Sequence, residues 1–338
     1  STLMRSSAAS DVYKRQIQLG YIVIDLILPL WTGYILKERH WMTQSQCDRL
    51  IRFGVVVLTT ILCLLSCWIL PLRGSLLLLP VFGGLASLVP WSLVKILHRQ
   101  EKFQSLYDKG SYIITSIPSN QGTVAGICSF IAYGEIGFAY VQIICLMQVL
   151  MLLFVCFPLG YYYKAASTGV ISRSVSLRQL NWRRLFLSWN QLGAVGLAIG
   201  LVLNYMGVPR PAVLGELFQG TIHFTAWATL LPIGYMIEFH SLKAYYWKTL
   251  DLLPIKCVAT PVILAIPAWF LFRDPVLLGT VIITMAAPCA NNALITTHLY
   301  GLNTNLSMSA FITTIAAFVL VLFPLFYLAV ANGLLPLR

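Results

Sequence analysis

Ten long apolar runs dominate this sequence and restrict its fold more than any other feature. A bilayer core about 30 Å thick is crossed by about 20 helical residues, and each run reaches roughly that length. The spans are predicted at residues 17–36, 50–70, 75–97, 111–133, 136–162, 185–206, 212–238, 250–272, 275–299 and 306–331. Of the 338 residues, 58% are hydrophobic and only 10% are charged, which no ordinary soluble domain shows. We predict an all-α integral membrane protein with ten transmembrane helices.

The distribution of basic residues predicts the orientation of these helices. Sixteen Lys and Arg residues lie in or beside the loops that follow the first, third, fifth and seventh spans. The last of these loops is assigned Lys243, Lys248 and Lys256. Because cytoplasmic loops carry an excess of Lys and Arg, both termini are predicted on the outer side of the plasma (inner) membrane. The net charge of +12 is thereby attributed to topology, and nucleic acid is not predicted as a partner.

The order of the spans also predicts the domain organisation. Residues 1–16 differ abruptly in composition from the first apolar run and lack the features of a signal peptide, so they are predicted to be a non-native leader. Residues 17–163 form a first five-helix repeat, residues 164–184 a cytoplasmic linker loop, and residues 185–338 a second five-helix repeat. Since five is an odd number, the two halves have opposite topology. Such inverted repeats place their binding sites between the repeats, near the midplane.

Two spans, the fourth and the ninth, contain polar residues and a proline inside an apolar run. In the ninth, Pro288 removes a backbone donor about halfway across, and Asn291 and Asn292 follow it. In the fourth, Pro118 precedes Asn120 in the same way. Backbone groups freed at this depth are tolerated only where they face protein or a watery cavity. We therefore predict that helices 4 and 9 are broken.

The residues that follow the two broken stretches also correspond to each other. Tyr133-Gly134 closes the first as Tyr300-Gly301 closes the second, and nearly equal apolar distances then lead to Phe157-Pro158 and to Phe323-Pro324. Interrupted helices at corresponding positions of two halves are the best sequence indication of a binding site in a secondary transporter. The candidate substrate-binding residues are Asn120, Gln121, Gly122, Pro288, Asn291 and Asn292. The alternative is that the amides only satisfy backbone groups freed by the breaks.

Two further polar residues lie deep in predicted spans. Asp25 in the first span and His223 in the seventh are candidates for proton or cation coupling, because histidine changes its charge near neutral pH. Interhelical hydrogen bonding is the alternative. Glu216, seven residues before His223, is expected to be exposed near the outer surface. Four other acidic residues at span ends are interpreted as solvated: Glu135, Glu238, Asp251 and Asp274.

The sequence offers little support for an enzyme. Its eight cysteines lie almost entirely within apolar runs without a paired metal spacing, so buried free thiols are predicted. A phosphate-binding loop of the Walker type is absent from the sequence, as is a set of side chains suited to an intramembrane hydrolase. We predict no enzymatic activity, no cofactor and no metal site.

Several motifs together resemble the auxin efflux carrier family. Asn120, Gly122 and Gly134 are similar to the first crossover motif of that family. The second crossover and the last span are similar at Ala287-Pro288-Cys-Ala-Asn-Asn, Tyr300-Gly301, Ser309-Ala310, Thr313-Thr314 and Phe323-Pro324. These PIN-like permeases belong to the superfamily of bile acid, arsenite and riboflavin transporters. The resemblance implies a ten-helix carrier with a scaffold part, a mobile transport part, and crossed helices 4 and 9 that hold an organic anion.

The sequence thus predicts a secondary transporter that moves a small organic anion, such as a carboxylate, across the plasma membrane. Its expected partners are that anion and the lipid bilayer. Coupling to protons or sodium and assembly as a homodimer are left open. The alternatives are a sodium-coupled importer like the bile acid symporters and, from a different class, a membrane-embedded ligand sensor.

Overall fold

A computed structural model describes residues 20–168, 192–237, 239–333 and 335. Within these ranges the chain is helical, and its only β-type pairing is an isolated bridge. Five of the described helices are long and apolar enough to cross a membrane, by length and composition. The prediction of a helical protein with membrane-crossing segments is confirmed at this level. The leader at residues 1–16 and most of the linker at 164–184 lie outside the described residues.

Helices α1 to α7 make up the first half of the chain. In order they span Leu28–Glu38 (α1), Gln44–Trp68 (α2), Gly74–Ile96 (α3), Leu106–Ser116 (α4), Gly126–Ile144 (α5), Leu146–Met151 (α6) and Phe157–Ser167 (α7). Three π-helical segments extend them, at Ile22–Ile27 before α1, Gln121–Ala125 before α5 and Leu152–Cys156 before α7. A kink at Gly134, which has φ +69°, divides α5.

Helices α8 to α14 make up the second half. They span Leu192–Tyr205 (α8), Ala212–Tyr235 (α9), Phe239–Thr249 (α10), Leu252–Leu271 (α11), Pro275–Met285 (α12), Asn291–Leu299 (α13) and Thr304–Ala331 (α14). Helix α10 differs from the sequence prediction, which has a loop there. It forms because Tyr245 and Tyr246 pack on the hydrophobic core beside α14, which outweighs the low hydrophobicity of the segment.

Prolines explain the position of four π-helical turns. The turns that end at Ile27, Cys156, Ala259 and Leu322 each stop two residues before a proline. A proline ring inside an α-helix clashes with the carbonyl four residues earlier and leaves it without a donor. A wider turn relieves this conflict. The apolar helices therefore continue past these prolines instead of breaking.

Helices α1, α2, α8 and α9 pack together as one group, with α8 against α2 and α9 against α1 and α2. Their backbones approach closely at glycines. A Cβ on Gly234 of α9 would collide with the carbonyl oxygen of Leu30, and one on Gly196 of α8 would collide with that of Thr60. Small residues permit such close packing of apolar helices. We call these four helices the first group.

The remaining long helices form a second group around the two broken ones. Helix α12 packs on α5, α14 packs on α4 and α13, and α11 lies against α3 and α12. The hydrophobic core is continuous between the groups, since it contains Leu62 of the first together with Phe130 and Phe318 of the second. The broken helices are thus enclosed by protein.

Candidate functional site

Both predicted helix breaks are present. Helix α4 ends at Ser116, and helical structure resumes at Gln121. Helix α12 ends at Met285, and α13 begins at Asn291. The two gaps hold Pro118 and Pro288, as the sequence predicts, because proline supplies no backbone N–H to continue a helix.

The two gaps cross each other and pair through their backbones. Ser119 and Cys289 form an isolated antiparallel bridge. The N–H of Asn120 donates to the carbonyl oxygen of Pro288 at 2.7 Å, and the N–H of Ala290 donates to that of Pro118 at 3.2 Å. The crossing segments therefore run in opposite directions and satisfy part of each other's freed backbone.

Side chains from neighbouring helices satisfy further backbone groups at this crossing. The Gln148 side-chain amide donates to the carbonyl of Ser119. The Cys289 N–H donates to Thr314 Oγ1 at 3.1 Å. Gln148 belongs to α6 and Thr314 to α14. Since buried polar groups are costly when unpaired, this network explains how two non-helical segments remain stable inside an apolar protein.

A buried lysine side chain also donates hydrogen bonds to the crossing. Lys256 of α11 is 1% exposed, and its Nζ donates to the carbonyl oxygens of Ser116 at 3.2 Å and Pro118 at 2.7 Å. Across the described part of the chain, no carboxylate forms an ion pair with it. The sequence prediction counted Lys256 among cytoplasmic loop charges, and this was wrong. Its position inside a predicted apolar span, at residues 250–272, was the available indication of burial.

The three candidate residues on the first crossing segment differ in their surroundings. Asn120 Oδ1 accepts from the Val124 N–H at 3.5 Å, a long capping bond. Gln121 is fully buried, and neither polar atom of its side chain has a hydrogen-bond partner within the described ranges. The carbonyl oxygen of Gly122 accepts from Gln142 Nε2 at 3.2 Å. Gln121 thus brings two unused hydrogen-bonding groups next to the crossing.

The candidate residues on the second segment divide between backbone and side-chain roles. Pro288 contributes its carbonyl to the crossing. Asn291 and Asn292 are partly buried in the first turn of α13, and their amide side chains make no hydrogen bond to any described residue. Part of the freed backbone is thus paired by other groups, and these two amides remain available.

Asp25 and His223 are brought together. Asp25 Oδ2 lies 2.6 Å from His223 Nδ1, as the interhelical hydrogen-bonding alternative predicts. Asp25 is 2% exposed, and its Oδ1 has no partner among the described residues. The rings of Tyr21 and Phe130 lie 4.5 Å and 5.9 Å from the imidazole. Because Phe130 belongs to α5, the pair sits where the two helix groups meet.

Three acidic residues predicted as solvated are instead paired, which corrects that interpretation. Glu135 lies 2.6 Å from Arg210, whose guanidinium also donates to the Leu65 carbonyl at 3.0 Å. This pair is mostly buried and links the two helix groups. The fourth residue, Glu238, lies outside the described residues. Glu216 is exposed, as expected.

The other two acidic residues lie just before helices and pair with residues far away in the sequence. Asp274 pairs with Arg73 at 2.7 Å and accepts from two N–H groups at the start of α12. Asp251 accepts from Lys102 at 2.7 Å and from the Tyr112 hydroxyl at 2.8 Å. Burial lowers the pKa of Lys102, and the hydrogen bond from Lys102 to Asp251 opposes that shift. The sequence around the end of a span does not indicate partners that lie so far away in the chain.

The cysteines are free thiols, as predicted, and all but Cys145 are buried. In the described ranges no group of three or more His, Cys, Asp or Glu side chains is arranged to hold a metal ion.

The fold and the crossing define a class: a helical protein with membrane-crossing helices and a buried junction of two broken helices, beside a lysine that has no carboxylate partner among the described residues. Neither the family models nor the curated proteins searched match the sequence.

Proposed function

We propose that the protein is a secondary transporter that moves a small organic anion, of the carboxylate class, across the plasma membrane by alternating access. The observation that carries the proposal is the buried Lys256 ammonium at the crossing, which lacks a carboxylate partner in the described structure. A buried charge is costly unless it is paired. A bound anion would offset that cost, and a cation would raise it.

The helix ends at the crossing also favour an anion. Helical structure begins at Gln121 on one segment and at Asn291 on the other. N–H groups at the start of a helix are unpaired within the helix, and its dipole is positive there. In this proposal Asn120, Gln121, Asn291 and Asn292 donate amide hydrogens to the carboxylate. Gly122 and Pro288 shape the backbone around it.

The proposal includes ten transmembrane helices in two inverted five-helix repeats. Corresponding features of the two halves support it. Gly134 and Gly301 both have positive φ, at +69° and +64°. Phe157-Pro158 and Phe323-Pro324 each begin an α-helical segment directly after a π-helical one. The antiparallel crossing is the relation expected between elements of opposite topology.

We further propose that the chain is of the auxin efflux carrier type. The first helix group would serve as the scaffold and the second would carry the crossing during an elevator-like movement. The Asp25–His223 pair lies against Phe130 of the second group, so a change in its charge would alter the contact between the two groups. This pair is the proposed coupling site.

Ligand binding tests the proposal directly, because a ligand of the native state raises apparent stability by about 2.7 kcal/mol at one hundred times its Kd. The thermal midpoint of detergent-purified protein would be measured with monocarboxylates, dicarboxylates, indole acids and bile acids, with and without sodium. A carboxylate should raise the midpoint by several degrees, and Asn291→Ala should abolish that rise.

The matched control is Gln219→Ala, which removes an exposed amide on α9 and should leave the carboxylate response intact. Equal loss in both variants, or no response from folded wild-type protein to any carboxylate, would contradict the proposal. Stabilisation by sodium alone would favour a sodium-coupled importer instead.

A further inference from the structure

We propose that the Lys256 ammonium is a built-in monovalent cation, occupying a carbonyl site that would otherwise bind sodium. The inference rests on the proposed function, since it concerns how the same crossing is coupled to ions. The site consists of the carbonyl oxygens of Ser116 and Pro118, which receive the Lys256 Nζ at 3.2 Å and 2.7 Å.

These carbonyls have the properties of a cation site. Ser116 is the last residue of α4, and the final carbonyls of a helix have no donor within the helix and carry a partial negative charge. The Pro118 carbonyl lies in the extended segment two residues later and also accepts from the Ala290 N–H. Broken helices use such unwound carbonyls and helix C-terminal ends to coordinate sodium or protons.

The ammonium fills this site permanently. Lys256 is anchored in a π-helical segment of α11, Ile255–Ala259, and is buried. An ion that couples transport must bind on one side and leave on the other, which a tethered ammonium cannot do. Sodium therefore has no vacant position here in the wild-type protein, and this crossing operates without a sodium step. The positive charge that a free ion would bring is already present for the anion.

Removing the ammonium should uncover the site. In Lys256→Ala the lost side chain leaves a space that water can enter, and water can supply the remaining oxygen ligands for sodium. In Lys256→Met a long apolar side chain fills the same space without a charge. The two variants therefore separate loss of charge from the opening of a cation site.

The experiment compares thermal midpoints of the purified full chain in sodium chloride and in choline chloride at equal ionic strength, without any carboxylate. Wild-type protein and Lys256→Met should have the same midpoint in both salts. Lys256→Ala should be stabilised by several degrees in sodium, with a saturable dependence on its concentration.

Two results would overturn the inference. One is sodium stabilisation of the wild type equal to that of Lys256→Ala, which would mean that the ammonium does not occupy the site. The other is a folded Lys256→Ala protein whose thermal midpoint does not change with sodium. If Lys256→Ala cannot be purified in choline, its recovery should be restored by sodium during extraction, and failure of that rescue also overturns the inference.

This readout is independent of the test of anion transport. If sodium raises the midpoint of Lys256→Ala but no carboxylate raises that of the wild type, the cation site is retained and the proposed function is rejected. If a carboxylate raises the midpoint of the wild type but sodium does not raise that of Lys256→Ala, the proposed function is retained and the cation site is rejected.

Discussion

At the scale of single residues, the buried polar and charged side chains were the hardest features of this protein to predict. Lys256 was assigned to a loop because counting Lys and Arg near span ends assumes that they face water. Glu135 was interpreted as solvated for the same reason, although it pairs with Arg210 at 2.6 Å. Both depend on partners far away in the sequence. Hydropathy averages over neighbours and cannot identify such partners.

The Asp25–His223 pair supports a stability prediction. Asp25 is buried and accepts its one described hydrogen bond from the histidine. Removing the hydrogen-bond partner of a buried carboxyl group leaves it unsatisfied, so His223→Ala should lower the free energy of unfolding by about 1–3 kcal/mol. Asp25→Asn should cost less, because an amide oxygen still accepts from the imidazole. Thermal unfolding of both purified variants checks this.

Asp25→Asn also tests whether the pair couples proton movement to transport. If the pair couples proton movement to transport, Asp25→Asn should fold and bind a carboxylate but lose the dependence of uptake on an imposed proton gradient. Retention of the full proton dependence would leave the pair with a packing role only. Equal destabilisation by the two substitutions would contradict the expected cost of leaving the Asp25 carboxyl group unsatisfied.

At the scale of the elements, the sequence predicted a helical protein and the two helix breaks. The breaks at Pro118 and Pro288 were predicted because proline has one unambiguous effect on a helix: it removes a donor. The crossing of the two gaps was expected only from family resemblance. The sequence did not reveal which backbone groups pair, because that register depends on how the surrounding helices pack. Helix α10 was missed because its polar residues resemble a loop.

Close helix packing gives a prediction with an internal control on one helix. Gly234 of α9 lies against the Leu30 carbonyl, and an added Cβ would collide with it, whereas Gly220 of the same helix has open space. Gly234→Ala should therefore destabilise the protein by about 1–3 kcal/mol through forced separation of α9 from α1. Gly220→Ala should stabilise it by about 0.5–1 kcal/mol by removing backbone freedom from the unfolded chain.

Thermal unfolding of the two glycine variants under identical conditions provides the comparison. Similar shifts for Gly234→Ala and Gly220→Ala would mean that α1 and α9 do not approach each other as closely as the structure places them.

At the scale of the whole molecule, two helix groups meet around one buried crossing. The first group is held by close backbone contacts at glycines, and the second by the paired breaks and the Lys256 bonds. Between the groups, the described contacts include the Arg210–Glu135 ion pair and the packing of Phe130 on His223. Connections of this kind can be broken and remade, so the arrangement suits movement of one group against the other.

The central claim is that the crossing moves an organic anion, and uptake of a radiolabelled carboxylate into proteoliposomes tests it most directly. The substrate is the carboxylate that gives the largest thermal stabilisation. Wild-type protein should accumulate it above protein-free vesicles, Asn291→Ala should reduce initial uptake at least tenfold, and Gln219→Ala should not. Stabilising binding without uptake, or undiminished uptake by Asn291→Ala, would contradict the claim that the crossing is the transport site.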